Sequence, residues 1–377
     1  MGAQAVYIHI PFCQKRCYYC SFVSYEGLWN IRADDYMQSL KNDIKARPPG
    51  RKLKSLYFGG GTPSLLDVDE LASVINCLSS YASLHEDAEA TLEANPGTLN
   101  LEKLAGYRRL GINRLSIGVQ SFDDALLKKI GRIHTAKQAI EAVKLSYAAG
   151  FSNVSIDLMY GIPGQNLKNF ASSLHQAIRL GLQHISLYGL TVGEDSLYHQ
   201  EILNGNMVPI DEDLMASCYI YASRLLAEHG YLQYEISNWA KEGYKSKHNM
   251  AYWQQGTWLG YGCAAYSFDG QYRYTVSEDI NSYIDSVLTD GTPFFKEKEE
   301  VSQEELLSEG IILALRLNEG AKFTYFKEKY GIDLAEKYAD IIETVGQAGL
   351  LEVNQDGIVL TERGRLLSNE VFWRFLP

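Results

Sequence analysis

The chain has 377 residues, 46% apolar and 21% charged, the balance of an ordinary globular protein, which excludes disordered, collagen-like and fibrous classes. Lys and Arg number 35 against 46 Asp and Glu, a net charge of −11, so a general binder of phosphate backbones is excluded as the main role and nucleic acid is not an expected partner. MGAQAVYIHIPF has no basic region ahead of an apolar stretch, and no apolar run reaches the roughly 18 residues of a membrane span, so a cytoplasmic protein is expected.

From residue 5 to about residue 192, short β-branched or aromatic runs alternate with amphipathic stretches. Strands are expected at AVYIHI, SLYFGG, ATLEAN, RLSIGVQ, NVSIDLMYG and HISLYGLTV, with helices at 34–46, 67–80, 100–110, 136–149 and 167–180. Six such units predict an α/β fold, a partial (β/α)6 barrel whose ligands gather at the carboxyl ends of the strands. Residues 193–300 read as loops and short strands (GEDSLYH, NWAKEGYKSKH, SFDGQYRYTVSE) around one helix near 211–229, with no derivable topology. From 301, helical runs at 303–315, 323–330 and 334–347 precede LLEVNQDGIVL, a hairpin around Gln-Asp-Gly, which suggests a helical, winged-helix-like C-terminal domain. Eight basic against thirteen acidic residues over 301–377 argue against a DNA-binding use of that shape. The expected division is a barrel over 1–230, a connecting region over 231–300 and the C-terminal domain over 301–377.

Three of the six cysteines, Cys13, Cys17 and Cys20, form CxxxCxxC directly after the first strand. Thiolates converging on one loop favour zinc or an iron–sulfur cluster. Structural zinc would want a fourth nearby ligand, and the chain offers neither a second CxxC nor an HxxxH pair; three ligands leave one iron of a cubane open. The next loop, GGGTPS at 59–64, allows close backbone approach to a ligand, although a triple glycine alone is more often a sharp turn. Glu93, Gln120 and Asp157 fall near the ends of strands three, four and five. Each alone reads as a tether for a loop; three at one mouth point to a polar organic ligand. His9 reads as a core or barrel-mouth histidine, and Cys77, Cys218 and Cys263 as buried thiols.

YIHIPFCQKRCYYCSF, YFGGGTPSLL, EANPGT, RLSIGVQSF, GRIHT, IDLMYGIPGQ and LTERGRLLSNEVF resemble the radical S-adenosylmethionine (SAM) superfamily, in the branch of the oxygen-independent coproporphyrinogen dehydrogenases and their heme-chaperone relatives. The resemblance covers nearly the whole chain. It implies a 4Fe-4S cluster on Cys13, Cys17 and Cys20, with SAM on the open iron. It also implies that Tyr7, Gly60, Gly61, Thr62, Glu93, Gln120, Arg132 and Asp157 sit where the family binds SAM, and that Tyr19 is similar to an aromatic touching the adenosyl group. The dehydrogenases carry a further cysteine two residues after the third ligand, where this chain has Phe22, and an N-terminal extension ahead of the first strand. HNMAYW at 248–253 is similar to the HNxxYW motif of the chaperones, which implies heme contacts for His248, Asn249, Tyr252 and Trp253. GYGCAAYSF departs from the branch, with Tyr266 where histidine is frequent. The resemblance therefore implies a heme chaperone that binds a cluster, SAM and heme and delivers heme to a respiratory hemoprotein; a respiratory complex as acceptor would bring peripheral membrane contact. The alternatives are a radical-SAM enzyme acting on a tetrapyrrole, such as a coproporphyrinogen III dehydrogenase, and a zinc-stabilised adaptor.

Overall fold

The computed structural model describes residues 4–50, 52–191, 193, 196–205 and 211–377, so Met1–Ala3, and Val192, Glu194 and Asp195 at the end of the sixth expected strand and in GEDSLYH, lie outside it. The six expected strands form: β1 (Ala5–Ile10), β2 (Lys52–Gly60), β3 (Ser83–Ala94), β4 (Arg114–Gln120), β5 (Val154–Tyr160) and β6 (His184–Gly189). They pair in parallel in chain order. β1 is buried on both faces: Val6, Ile8 and Ile10 on one are fully buried, and Ala5 and His9 on the other are buried too, since a strand in the middle of a parallel sheet is covered on both sides.

The outer layer is α1 (Trp29–Ala46), α2 (Val68–Ser79), α3 (Leu101–Arg109), α4 (Ala136–Ala148) and α5 (Leu167–Arg179). Several start where the sequence supplies reciprocal caps: Asp67 with Glu70, Thr135 with Gln138, and Asn166 with Asn169. The helix expected near 211–229 is α6 (Glu212–Glu228).

Residues 231–300, expected as a connecting region of loops and short strands that carries HNMAYW, build both edges of the sheet. β7 (Leu232–Glu235) and β8 (Asn238–Ala240) form a hairpin that adds β8 antiparallel to β6. After α7 (Lys247–Trp253), β9 (Trp258–Tyr261) runs parallel to β1 as a seventh parallel strand, with Tyr7 opposite Gly260. The antiparallel strands β10 (Tyr266–Phe268), β11 (Tyr272–Val276) and β12 (Phe295–Glu300) complete the order β12-β11-β10-β9-β1-β2-β3-β4-β5-β6-β8-β7. The barrel is thus open. α7 is carried across its amino-terminal side between β8 and β9.

The C-terminal domain opens with α8 (Gln303–Arg316) and has its own core around Leu307, Ile311, Phe326 and Ile358. Its three-stranded sheet, β13 (Ala321–Lys322), β14 (Leu351–Val353) and β15 (Gly357–Leu360), contains the expected hairpin around Gln355-Asp356-Gly357. The expected helix over 334–347 is broken at Tyr338.

Candidate functional site

β1 ends beneath the loop that carries the three thiols. Phe12 and Cys13 pair with Tyr25 and Glu26, closing that loop at its base. His9 anchors it further: Nε2–H donates to the Val23 carbonyl at 3.0 Å, and Nδ1 accepts from the Tyr7 hydroxyl at 3.1 Å. Burial lowers its pKa to about 4, so the ring is neutral and structural, as its place between Ile8 and Ile10 implies.

The glycines of GGGTPS serve packing. A Cβ on Gly60, whose φ is +111°, would stand 2.5 Å from the His9 ring, and one on Gly61 would stand 2.7 Å from the Phe12 carbonyl. Their N–H groups are already engaged, Gly61 with Ile10 O at 2.9 Å and Gly60 with Glu93 at 3.2 Å. Close backbone approach is thus made toward β1 and the thiol loop, by glycines that also line the thiol cavity.

Cys13, Cys17 and Cys20 line one cavity of about 360 Å³ at the carboxyl ends of the parallel strands. Tyr19, Gly60, Gly61, Thr62, Glu93, Gln120, Arg132 and Asp157 line the same cavity. Tyr7 does not; it lies a layer behind, with its ring 6.0 Å from that of Tyr57 and 6.3 Å from that of His248. Gln120 reaches the cavity from a left-handed backbone, φ +65°, at a β4 bulge, strain that a non-glycine residue carries only where its surroundings impose it.

Two side chains donate to the thiols: Thr62 Oγ1 to Cys13 Sγ and Arg132 to Cys17 Sγ, both at 3.5 Å. Burial pushes the Cys13 and Cys20 thiols up. Arg132 is fixed by Asn95 Oδ1 at 2.6 Å and the Gly118 carbonyl, yet its Nε is buried without a partner among the described residues. Glu93 accepts from Tyr57 Oη at 2.7 Å, and burial outweighs that bond, raising its pKa to about 7. Asp157, with Ser116 Oγ at 3.2 Å, is likewise pushed up by burial. Sequence reasoning missed Arg114 on the cavity floor, which is almost fully buried with its Nε 3.8 Å from the Glu89 carboxylate; the signal was a basic residue opening an otherwise apolar strand.

α7, which carries HNMAYW, divides its side chains among different surroundings. Only Asn249 of its four expected heme contacts lines the thiol cavity. His248 is sealed: Nδ1 meets Ser55 Oγ at 2.9 Å, Nε2 meets Tyr252 Oη at 2.8 Å, and its ring stacks on Tyr57 at 4.7 Å. Burial lowers its pKa to about 3. With both nitrogens bonded, it offers no free lone pair to a heme iron in this conformation. Tyr252 stands edge-on to Trp258, and the Trp253 ring is covered by the Arg316 guanidinium at 4.4 Å. Tyr266 is exposed on β10 and lines none of the cavities described here. Cys218 and Cys263 are buried, as expected; Cys77 is only half-buried.

The model of the radical SAM superfamily matches residues 7–177, and that of the HemN C-terminal domain matches residues 301–367. The heme chaperone HemW of Bacillus subtilis is 35% identical over 377 residues, 99% of each chain. HemW of Escherichia coli is 35% identical over 99% of this chain and 98% of its own. The chain belongs to the HemW family of the radical SAM superfamily. Among solved structures, the coproporphyrinogen III oxidase HemN of Escherichia coli, a radical SAM enzyme, matches with a TM-score of 0.87 at 23% identity, over 99% of this chain and 90% of that one, which shows the shared fold.

Membership of the HemW family implies a 4Fe-4S cluster and SAM, and the residues present fit both. Among the described residues, Cys13, Cys17 and Cys20 line one cavity, and three thiols are the donor set that a 4Fe-4S cluster with one open iron takes. The orphaned Nε of Arg132 suits an anionic group such as a ligand carboxylate. Among the described residues of this HemW-family chain, no helix is long and apolar enough to cross a membrane.

Proposed function

We propose that this chain is a cytoplasmic heme chaperone, which holds a 4Fe-4S cluster on Cys13, Cys17 and Cys20, binds SAM in the adjoining cavity, takes up heme at α7 and passes it to a respiratory hemoprotein. Tyr19, Gly60, Gly61, Thr62, Glu93, Gln120, Arg132 and Asp157 would surround SAM, with Tyr7 supporting them from behind through Tyr57. When bound, the cluster supplies one-electron reduction of a sulfonium. The chain's own residues would do the holding: Thr62 and Arg132 donate to the Cys13 and Cys17 sulfurs, and Arg132 keeps its Nε–H for a carboxylate.

The observation that carries the reading is the meeting of the HNMAYW helix and the thiol loop at one cavity, through Asn249, in a chain with Phe22 where the dehydrogenases carry a further cysteine. Anaerobic reconstitution with iron and sulfide, followed by parallel titration with hemin and incubation with coproporphyrinogen and SAM, tests it. Saturable growth of a Soret band with no decarboxylated product is expected. Product formed with consumption of SAM, and no hemin uptake, would make the protein a dehydrogenase.

A further inference from the structure

Tyr57 of β2 belongs neither to the thiol loop nor to HNMAYW, yet it touches the surroundings of both. Side chains alternate along a strand, so Ser55, Tyr57 and Gly59 share one face of β2. Tyr57 lines the thiol cavity, and its Oη–H donates to Glu93 Oε1 at 2.7 Å. The other Glu93 oxygen accepts from Gly60 N at 3.2 Å, so β2 holds both oxygens of the carboxylate and sets its orientation.

The ring is held as closely as the hydroxyl. It stacks on the His248 ring at 4.7 Å and on the Tyr7 ring at 6.0 Å. His248 in turn meets Ser55 Oγ, two residues before Tyr57 on the same face, at 2.9 Å. Gly59, the first glycine of GGGTPS, leaves the room for this: a Cβ there would stand 2.8 Å from the Tyr7 ring and 2.9 Å from the Tyr57 ring. One side chain thus touches Glu93 with its tip and α7 with its face. Because the hydroxyl sits rigidly on the ring, a shift of Glu93 displaces the face on which His248 packs.

We propose that Tyr57 is a positioning residue for SAM, which aims the Glu93 carboxylate into the cavity and ties it to α7, so that filling the cavity stiffens the helix. The proposal rests on the SAM-binding reading of the cavity and adds the residue that sets Glu93 and the element that responds. A sulfonium favours the charged carboxylate, and a charged acceptor strengthens the Tyr57 hydrogen bond. The better-held ring then gives His248 a firmer surface. Such coupling is reciprocal: if SAM holds α7, a held α7 tightens SAM by the same factor.

Equilibrium dialysis of SAM against the full chain reconstituted with iron and sulfide, with hydrogen exchange over residues 246–253, tests it. Tyr57→Phe keeps the ring and removes the hydroxyl. It should weaken SAM roughly tenfold at neutral pH and move the pH step of binding upward by about one unit, because the lost hydrogen bond favoured the charged form of Glu93. The other charged or titratable groups facing Glu93 are Arg114, Asp157, Tyr7, Tyr188 and Tyr252; burial pushes the three tyrosines up, so they stay neutral. Burial pushes Asp157 up as well, so the step is assigned by Glu93→Gln, which should abolish it. In the wild type SAM should raise protection over 246–253. Tyr57→Phe should keep the resting protection and gain little on adding SAM, whereas Tyr57→Leu, without the ring, should lose protection even with no SAM present. Circular dichroism and iron content check that Tyr57→Phe folds and loads its cluster. Wild-type affinity with an unmoved step in Tyr57→Phe, a step that survives Glu93→Gln, or wild-type protection over α7 that ignores SAM would overturn the proposal while leaving SAM in the cavity. Wild-type protein that binds no SAM would remove the reading of the cavity, and the proposal with it.

Discussion

Glu93 shows how much a single side chain can decide at this site. Burial raises its folded pKa to about 7, above the ordinary 4.5, so the protonated and charged forms are both populated near neutral pH. The sign follows from that: burying the charged form costs stability, a cost absent below about 4.5 and complete only above about 7. A sulfonium needs the charged form, the carboxylate. SAM should therefore bind more tightly as pH rises through about 7, and Glu93→Gln should bind weakly with a flat pH profile; equilibrium dialysis of reconstituted protein across that range checks this. Gly60 acts at the same scale through space alone. Gly60→Ala would press a methyl group 2.5 Å from the His9 ring at a left-handed φ, so we expect a loss of about 2–3 kcal/mol in urea denaturation and poor iron retention after reconstitution. That the thiols, Glu93, Gln120 and Asp157 would meet at one cavity was legible in the sequence because each stands in or just after the carboxyl half of a parallel strand. The role of the glycines was only half legible, since whether a bare Cα faces a ligand or a neighbouring histidine is settled by packing.

At the scale of the element, α7 is the case where pattern and position part. HNMAYW identifies the segment, but a seven-residue helix turns its side chains through all directions, and only the surrounding strands determine what each one meets. Its anchoring is invisible in the sequence, because Glu89 lies in a run, EDAE, that reads as solvated. In the fold Glu89 opens the buried half of β3 and accepts from Ser246 Oγ at 3.3 Å, Lys247 N at 3.2 Å and His248 N at 3.1 Å, with Arg114 Nε at 3.8 Å. Glu89→Ala would strip these donors of their acceptor and leave Arg114 uncompensated, an expected loss of about 3 kcal/mol. Hydrogen exchange should then lose protection over residues 246–253 while the outer helices keep theirs. Unchanged exchange in α7 would mean that the helix is held by its apolar contacts alone. β9 was missed for a related reason: WLGY has no alternation and few residues, and becomes a strand because β1 offers it an unpaired edge.

Across the whole molecule, a buried charge is among the contacts that join the barrel to the C-terminal domain, beside Arg273 with Glu309 and Gln255 with Leu306 O and Tyr330. The six-strand alternation and the late helices with their hairpin were readable as two bodies; their join was not, because it is made of single residues far apart in sequence. Glu235, at the end of β7, is fully buried and accepts from Ser237 N at 3.0 Å and from Asn238. Arg316, at the end of α8, reaches it at 3.4 Å and covers Trp253 of α7 with the same guanidinium. Burial raises the Glu235 pKa and Arg316 is the largest opposing influence. Arg316→Ala should therefore cost about 2–3 kcal/mol at neutral pH, less than the roughly 3–5 kcal/mol of a fully enclosed pair, because Arg316 remains 26% exposed. The loss should shrink as pH falls, since an acid with a raised folded pKa gives up its unfavourable charge on protonation. Adding Glu235→Gln to Arg316→Ala should recover most of the loss and remove that pH dependence. Urea denaturation of both variants at neutral and mildly acidic pH, with limited proteolysis between residues 301 and 377 as the structural readout, decides it: a loss that does not depend on pH, and that Glu235→Gln fails to relieve, would assign the join to the packing of Arg316 on Trp253 instead of to the pair.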